Sequence, residues 1–158
     1  MTLRKLSAAI VVAMLAGASP LASAAADEND GIVKVRSAYP VAETVARLKK
    51  DIADKGIRFF MEIDQSQLAA DAKITLRPST QLVFGNPPLG TQFITANPLA
   101  GLDWPVRLLV TQDENGTVWA AWTDFAWIAR RHGITNREAQ FKMATEVVRS
   151  ITSTVTSR

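Results

Sequence analysis

The segment Phe84-Gly85-Asn86-Pro87-Pro88-Leu89-Gly90-Thr91 sets two glycines and a threonine at nearly the spacing that cradles a phosphate. A nucleotide loop of the form G-x-x-x-x-G-K-[ST] turns backbone N–H groups toward the phosphates, and its lysine supplies charge. Here Thr91 follows Gly90 directly, and the lysine is missing. Pro87 and Pro88 remove two N–H donors from the middle. The residues therefore predict a structural loop that does not bind nucleotides. In this reading Gly85 ends a strand, the proline pair stiffens the turn, and Gly90 or Asn86 takes an unusual dihedral.

The second group able to do chemistry is Arg130-Arg131-His132, within IARRHGIT. His132 is the sole histidine and the chain has no cysteine. A metal centre that needs two or more nitrogen or sulfur ligands is thereby disfavoured. A histidine base also needs a partner to orient it. The simpler reading is a helix C-terminus, where positive charge meets the helix dipole and Gly133 closes the turn. If these residues bind anything, an anion is the expected ligand.

Trp104, Trp119, Trp122 and Trp127 crowd one stretch of the chain. Side chains alternate across a strand, so Trp119 and Trp122 must point to opposite faces. With Phe125 and Phe141 they offer more aromatic surface than one thin layer readily hides. Ordinary core packing is the plainer reading; if some form a surface, Trp122 and Trp127 are the expected exposed members, at a ligand site or subunit interface. Glu62 and Asp64 share a face of a strand and would suit acid–base work only if buried together. A solvated face is the plainer expectation. Serine-hydrolase, zinc-protease, EF-hand and dinucleotide signatures are absent, so no catalytic residue, metal or cofactor is assigned.

The elements that must position these residues follow from periodicity. Residues 32–39 alternate as a strand. Val41, Val45, Leu48 and Ile52 recur as a helical stripe that Pro40 opens and Gly56 closes. Further strands are expected at 57–64, 80–86, 105–112 and 117–125. Asn115-Gly116 forms the turn between the last two. Residues 65–75 suit one or two helical turns. Leu89, Phe93, Ile94 and Leu99 suggest a short helix. A final helix starts at a Thr135–Glu138 capping box and runs on a Met143, Val147, Ile151, Val155 stripe, reinforced by Ala144 and Val148. The order β-α-β4-α, with short helical insertions, predicts an α+β two-layer sandwich on a mainly antiparallel sheet.

Residues 1–24 read differently. Arg4 and Lys5 precede an apolar run from Leu6 to about Ala18, and Ala22-Ser23-Ala24 has the small-x-small form of a cleavage site. The run is too short to span a membrane. A cleaved export leader is expected, then a polar lead-in (25–31) and one domain (32–158). The product would be periplasmic or secreted, with no membrane span left after cleavage. The chain has 18 basic and 15 acidic residues. Without Arg4 and Lys5 the balance is 16 against 15, or +1. No basic face for nucleic acid is indicated. Without disulfides, the domain must be held by its core.

Phe84-Gly85-Asn86-Pro87, then Gly90-Thr91, then P-x-R-x-L-V at Pro105–Val110 and VWAAWTD at Val118–Asp124, resemble the DUF302 family over Val33 to about Val155. The resemblance implies a TATA-binding-protein-like sheet with two helices, and a homodimer. It implies no activity. Relatives in this resemblance carry a histidine after the Ile-Asp of the second strand, where Gln65 stands here. The reading is a non-catalytic, dimeric module that binds a small molecule or a periplasmic protein. The alternative is a small-molecule enzyme or cofactor-dependent protein, with chemistry near Trp122–His132 or Gly85–Thr91.

Overall fold

A computed structural model describes residues 30–156. The expected export leader and residues 25–29 of the lead-in lie outside the described residues.

Five strands form one antiparallel sheet: β1 (Ile32–Arg36), β2 (Arg58–Asp64), β3 (Ser79–Gly85), β4 (Val106–Gln112) and β5 (Val118–Thr123). Their order is β1-β5-β4-β3-β2. The helices are α1 (Val41–Asp54), α2 (Gln65–Asp71), α3 (Pro87–Ala96), α4 (Phe125–Arg131) and α5 (Glu138–Ser153), with a 3-10 turn at Pro98–Leu102. This is the expected α+β sandwich with two long helices.

Alternation along the strands builds the core. Leu82 and Phe84 of β3, Leu108 and Val110 of β4, and Ala120 and Trp122 of β5 are buried on one face. The long helices cover that face. Leu48 and Ile52 of α1 are fully buried, so the α1 stripe lies where periodicity set it. Gly56 adopts a φ of +63°, as its closing role requires. Val148 and Ile151 of α5 complete the core.

Among the described residues, the other sheet face carries no helix of comparable length. The register aligns Met61, Val83 and Arg107 in one row and Ile63, Gln81, Leu109 and Ala121 in the next. Trp119 lies on this face, where its indole Nε1 donates to Asp113 at 2.8 Å. That bond, with the backbone N–H groups of Thr117 and Asn115, holds the Asp113 carboxyl below its ordinary value of 3.8. Gly116 alone supplies positive φ in this turn, at +79°.

Several local expectations are corrected. Neither Asn86 nor Gly90 has a positive φ. The proline pair occupies the first turn of α3, where missing N–H groups cost nothing. Leu99 lies in the separate 3-10 turn and is 65% exposed. The Thr135–Glu138 capping box does not form, because α5 begins after Arg137 without a side-chain cap. The buried stripe of α5 runs through Phe141, Ala144, Val148 and Ile151, while Met143 is exposed. Phe141 wins the inward position by stacking on Phe93 of α3, with ring centroids 4.2 Å apart.

Candidate functional site

Gly85 and Gly90 answer to one side chain. A Cβ on Gly85 would lie 2.9 Å from Cζ2 of Trp104. A Cβ on Gly90 would overlap the same indole at Cε2 and Nε1. Phe93 meets the ring edge-on, with centroids 5.8 Å apart. The glycines that mimic a phosphate loop thus make room for a tryptophan. Thr91 confirms the helical setting, since its hydroxyl donates back to Pro87 O at 2.8 Å.

Trp104 forms one wall of a cavity of about 260 Å³ between α5 and the end of the sheet. Met143, Ala144, Val147 and Val148 of α5 roof it. Phe84, Val106 and Leu89 supply more apolar lining. Asn86 and Lys55 are the polar residues at its border. Asn86 makes no cap bond to α3, which leaves its amide free of that duty. Lys55 follows α1 and its ammonium donates to Asp51 one turn back. An apolar interior with a few polar groups is the ordinary composition of a small-molecule site. The wider grooves, about 600 Å³ between α4 and α5 and about 510 Å³ beside α1, are more open to solvent.

Behind the cavity floor sits a charged cluster. The Asp103 and His132 side chains are each 5% exposed, with His132 Nε2 2.6 Å from Asp103 Oδ2. An ionised carboxylate only accepts, so the imidazole N–H donates. Arg131 Nη1 donates to both carboxylate oxygens at 3.2 Å. Arg107 adds a longer contact at 3.6 Å. Asn97 donates to the His132 carbonyl at 2.8 Å. The anion that Arg131 and His132 meet within the fold is Asp103. The space beside Asp103 is about 10 Å³, around the minimum for a single water. A substrate has no room there, and the cluster ties the 3-10 turn to the end of α4.

The other sequence candidates disperse. Trp122 is 4% exposed and belongs to the core, which corrects the expectation that it is a surface aromatic. Phe125 and Phe141 are buried with it. Trp127 is half-buried and lies across Gly31, with the Arg131 guanidinium 5.3 Å from its ring centre. Arg130 lines the open groove between α4 and α5. Gly133 takes positive φ after His132, as a helix end requires. Glu62 pairs with Lys49 at 2.6 Å, and Asp64 caps α2 through Gln67 N at 2.9 Å. Gln65 accepts from Ser79 Oγ at 2.7 Å. Gly85, Phe84 and Asn86 do reach the cavity. Asp103 and Lys55 were not among the candidates. A lone charge in the apolar run PLAGLDWPV could have marked Asp103. No comparable signal marked Lys55.

Residues 33–156 match the family model described as "Domain of unknown function DUF302". The chain is 36% identical over 106 residues to "Fluoride-specific ion channel FluC 1" of Brucella suis biovar 1 (strain 1330), a match covering 67% of this chain and 42% of that protein. The FluC 1 protein of Brucella abortus biovar 1 (strain 9-941) matches at the same identity, with 67% of this chain and 39% of the relative covered. The chain thus spans about two-fifths of the length of these curated relatives. A crystal structure of an uncharacterized conserved protein DUF302 from Bacillus stearothermophilus superposes with a TM-score of 0.64 at 19% identity, covering 80% of this chain and 96% of that one. This last likeness is one of fold.

Proposed function

The chain belongs to the DUF302 family, and from that premise we propose that it is a non-catalytic module that takes a small, largely apolar molecule into the cavity beneath α5. The observation that carries this reading is the cavity itself. It is lined by apolar side chains, and the Trp104 wall is set by two glycines that admit the indole. Of the dyad that could have served chemistry, Asp103 borders a space of only about 10 Å³, and His132 lines none of the grooves described above. The reading also includes export, which the leader pattern of residues 1–24 and the absence of cysteine support. Two copies pair through the open sheet face. Met61 is 52% exposed there while Val83 beside it is only 8% exposed, so Met61 is the apolar side chain that this face offers a partner.

Native mass spectrometry of protein released from the periplasm tests all three parts. The expected species is a dimer of chains beginning near Ala25 that carries a small molecule lost on activation. A full-length mass removes the export reading, and a monomer removes the pairing. A bare chain that also fails to take up added apolar molecules removes the ligand.

The Brucella relatives favour a second reading, in which the domain accompanies a fluoride channel. Conduction is not assigned to it. Among the described residues, no helix is long and apolar enough to cross a membrane. Under that reading the native spectrum carries a membrane-protein partner in place of a small molecule.

A further inference from the structure

We infer that Met143, at the mouth of the cavity beneath α5, is an oxidation site whose sulfoxide turns apolar ligands away. The inference rests on the proposed ligand-binding role and adds its control by peroxide.

The chain has no cysteine and four methionines. Met1 and Met14 fall within the expected leader, so the thioethers of Met61 and Met143 are all the sulfur of the domain. Methionine is among the residues most often fully buried. Here both are more than half exposed, Met143 at 54%. Their settings differ. Met61 stands on the open sheet face, where the proposed pairing of two copies covers it. Met143 stands on α5. Residues four apart on a helix lie one above the other. Met143 and Val147 therefore form an outer row, and Ala144 and Val148 an inner one. Ala144 and Val148 are buried, and all four border the cavity. Met143 thus marks the line where the apolar space meets water, and a small oxidant reaches it without any opening of the fold.

The step needs one co-reactant, a hydroperoxide. The thioether sulfur gives an electron pair to one peroxide oxygen. An S–O bond forms, the O–O bond breaks, and the departing hydroxide takes the remaining proton and leaves as water. Sulfur is oxidised by two electrons and the peroxide is reduced by two. The product is a polar, chiral side chain in place of a flexible apolar one. Its oxygen accepts hydrogen bonds from water at the mouth. An apolar ligand seated beneath α5 must strip that water away, and nothing on the ligand replaces it.

The cavity volume sets the probe. About 260 Å³ holds roughly nine waters at ~30 Å³ each, hence a ligand on the order of ten non-hydrogen atoms. Octanol is a neutral molecule of that size. Calorimetric titration of the chain purified from cells with octanol, before and after hydrogen peroxide, tests the site. Peptide mass spectrometry is expected to find one added oxygen on Met143, and the affinity to fall about tenfold. The reductases for both sulfoxide epimers should restore it. Met61→Leu should retain the fall. Met143→Leu, measured against its own untreated affinity, should lose it. An oxidised Met143 with octanol binding unchanged, a Met143 that peroxide leaves intact, or a fall that persists in Met143→Leu overturns the oxidation site and leaves the cavity reading intact. Untreated chain that does not bind octanol overturns both.

Discussion

Replacing Asp103 by alanine is expected to lower the melting temperature by on the order of 10 °C, the largest single effect outside the hydrocarbon core. The substitution removes the partner of a His132 N–H whose side chain is 5% exposed. A buried donor left unsatisfied costs about 1–3 kcal/mol. It also strips the carboxylate from Arg131 and Arg107, whose side chains are 44% and 48% exposed. Those contacts are well solvated and add little, on the order of 0–1 kcal/mol each. The sum is about 1–5 kcal/mol, whose middle gives the stated fall for a domain of this size. Asp103→Asn keeps an acceptor for His132 at nearly the same place and should cost about a third as much. Thermal unfolding by circular dichroism reads both. Equal losses in the two variants would mean that charge, and not the hydrogen bond, holds the cluster.

Gly90→Ala is the second large effect, and two opposing terms decide its sign. Within α3 the change favours helix by about 1 kcal/mol. The added methyl, however, overlaps the Trp104 indole, which is hemmed by Gly85 and by the edge of Phe93. Overpacking of this kind costs about 1–3 kcal/mol and occasionally more. The steric term wins, because the nearest atoms belong to a rigid ring and not to the end of a flexible chain. The open side for the ring is the cavity it already walls. The variant should therefore unfold several degrees lower and bind octanol at least tenfold more weakly. A Gly90→Ala protein as stable as its parent, with binding unchanged, would show that the glycine serves helix geometry alone.

That pair of glycines shows where sequence reasoning reached and where it stopped. Gly85 and Gly90 stand out in one dimension, and the missing lysine with the two prolines was enough to set nucleotide binding aside. Their purpose was not legible, because it lies in contact with Trp104, on a different segment of the chain. The α1 stripe was legible since a single apolar row at helical spacing has one way to face a sheet. The α5 stripe was displaced because Phe141 and Met143 are both apolar, and only the position of Phe93 chooses between them. Alternation put Trp119 and Trp122 on opposite faces. Which face the helices cover is a property of the whole sandwich, so Trp122 was expected outside and lies inside. Asp103 and His132 are 29 residues apart, and no spacing rule joins them. Lys55 was seen only as the polar side of α1, because a cavity is a gap between elements and leaves no period in the sequence.

Whether the space beneath α5 is a ligand site is decided by methyl NMR of the labelled chain titrated with octanol. Shifts are expected at the methyls of Ala144, Val147, Val148 and Val106, abolished by Ala144→Leu, which fills the space. Shifts centred on Leu109 and Ala121 of the open sheet face, or none at millimolar octanol, would contradict it.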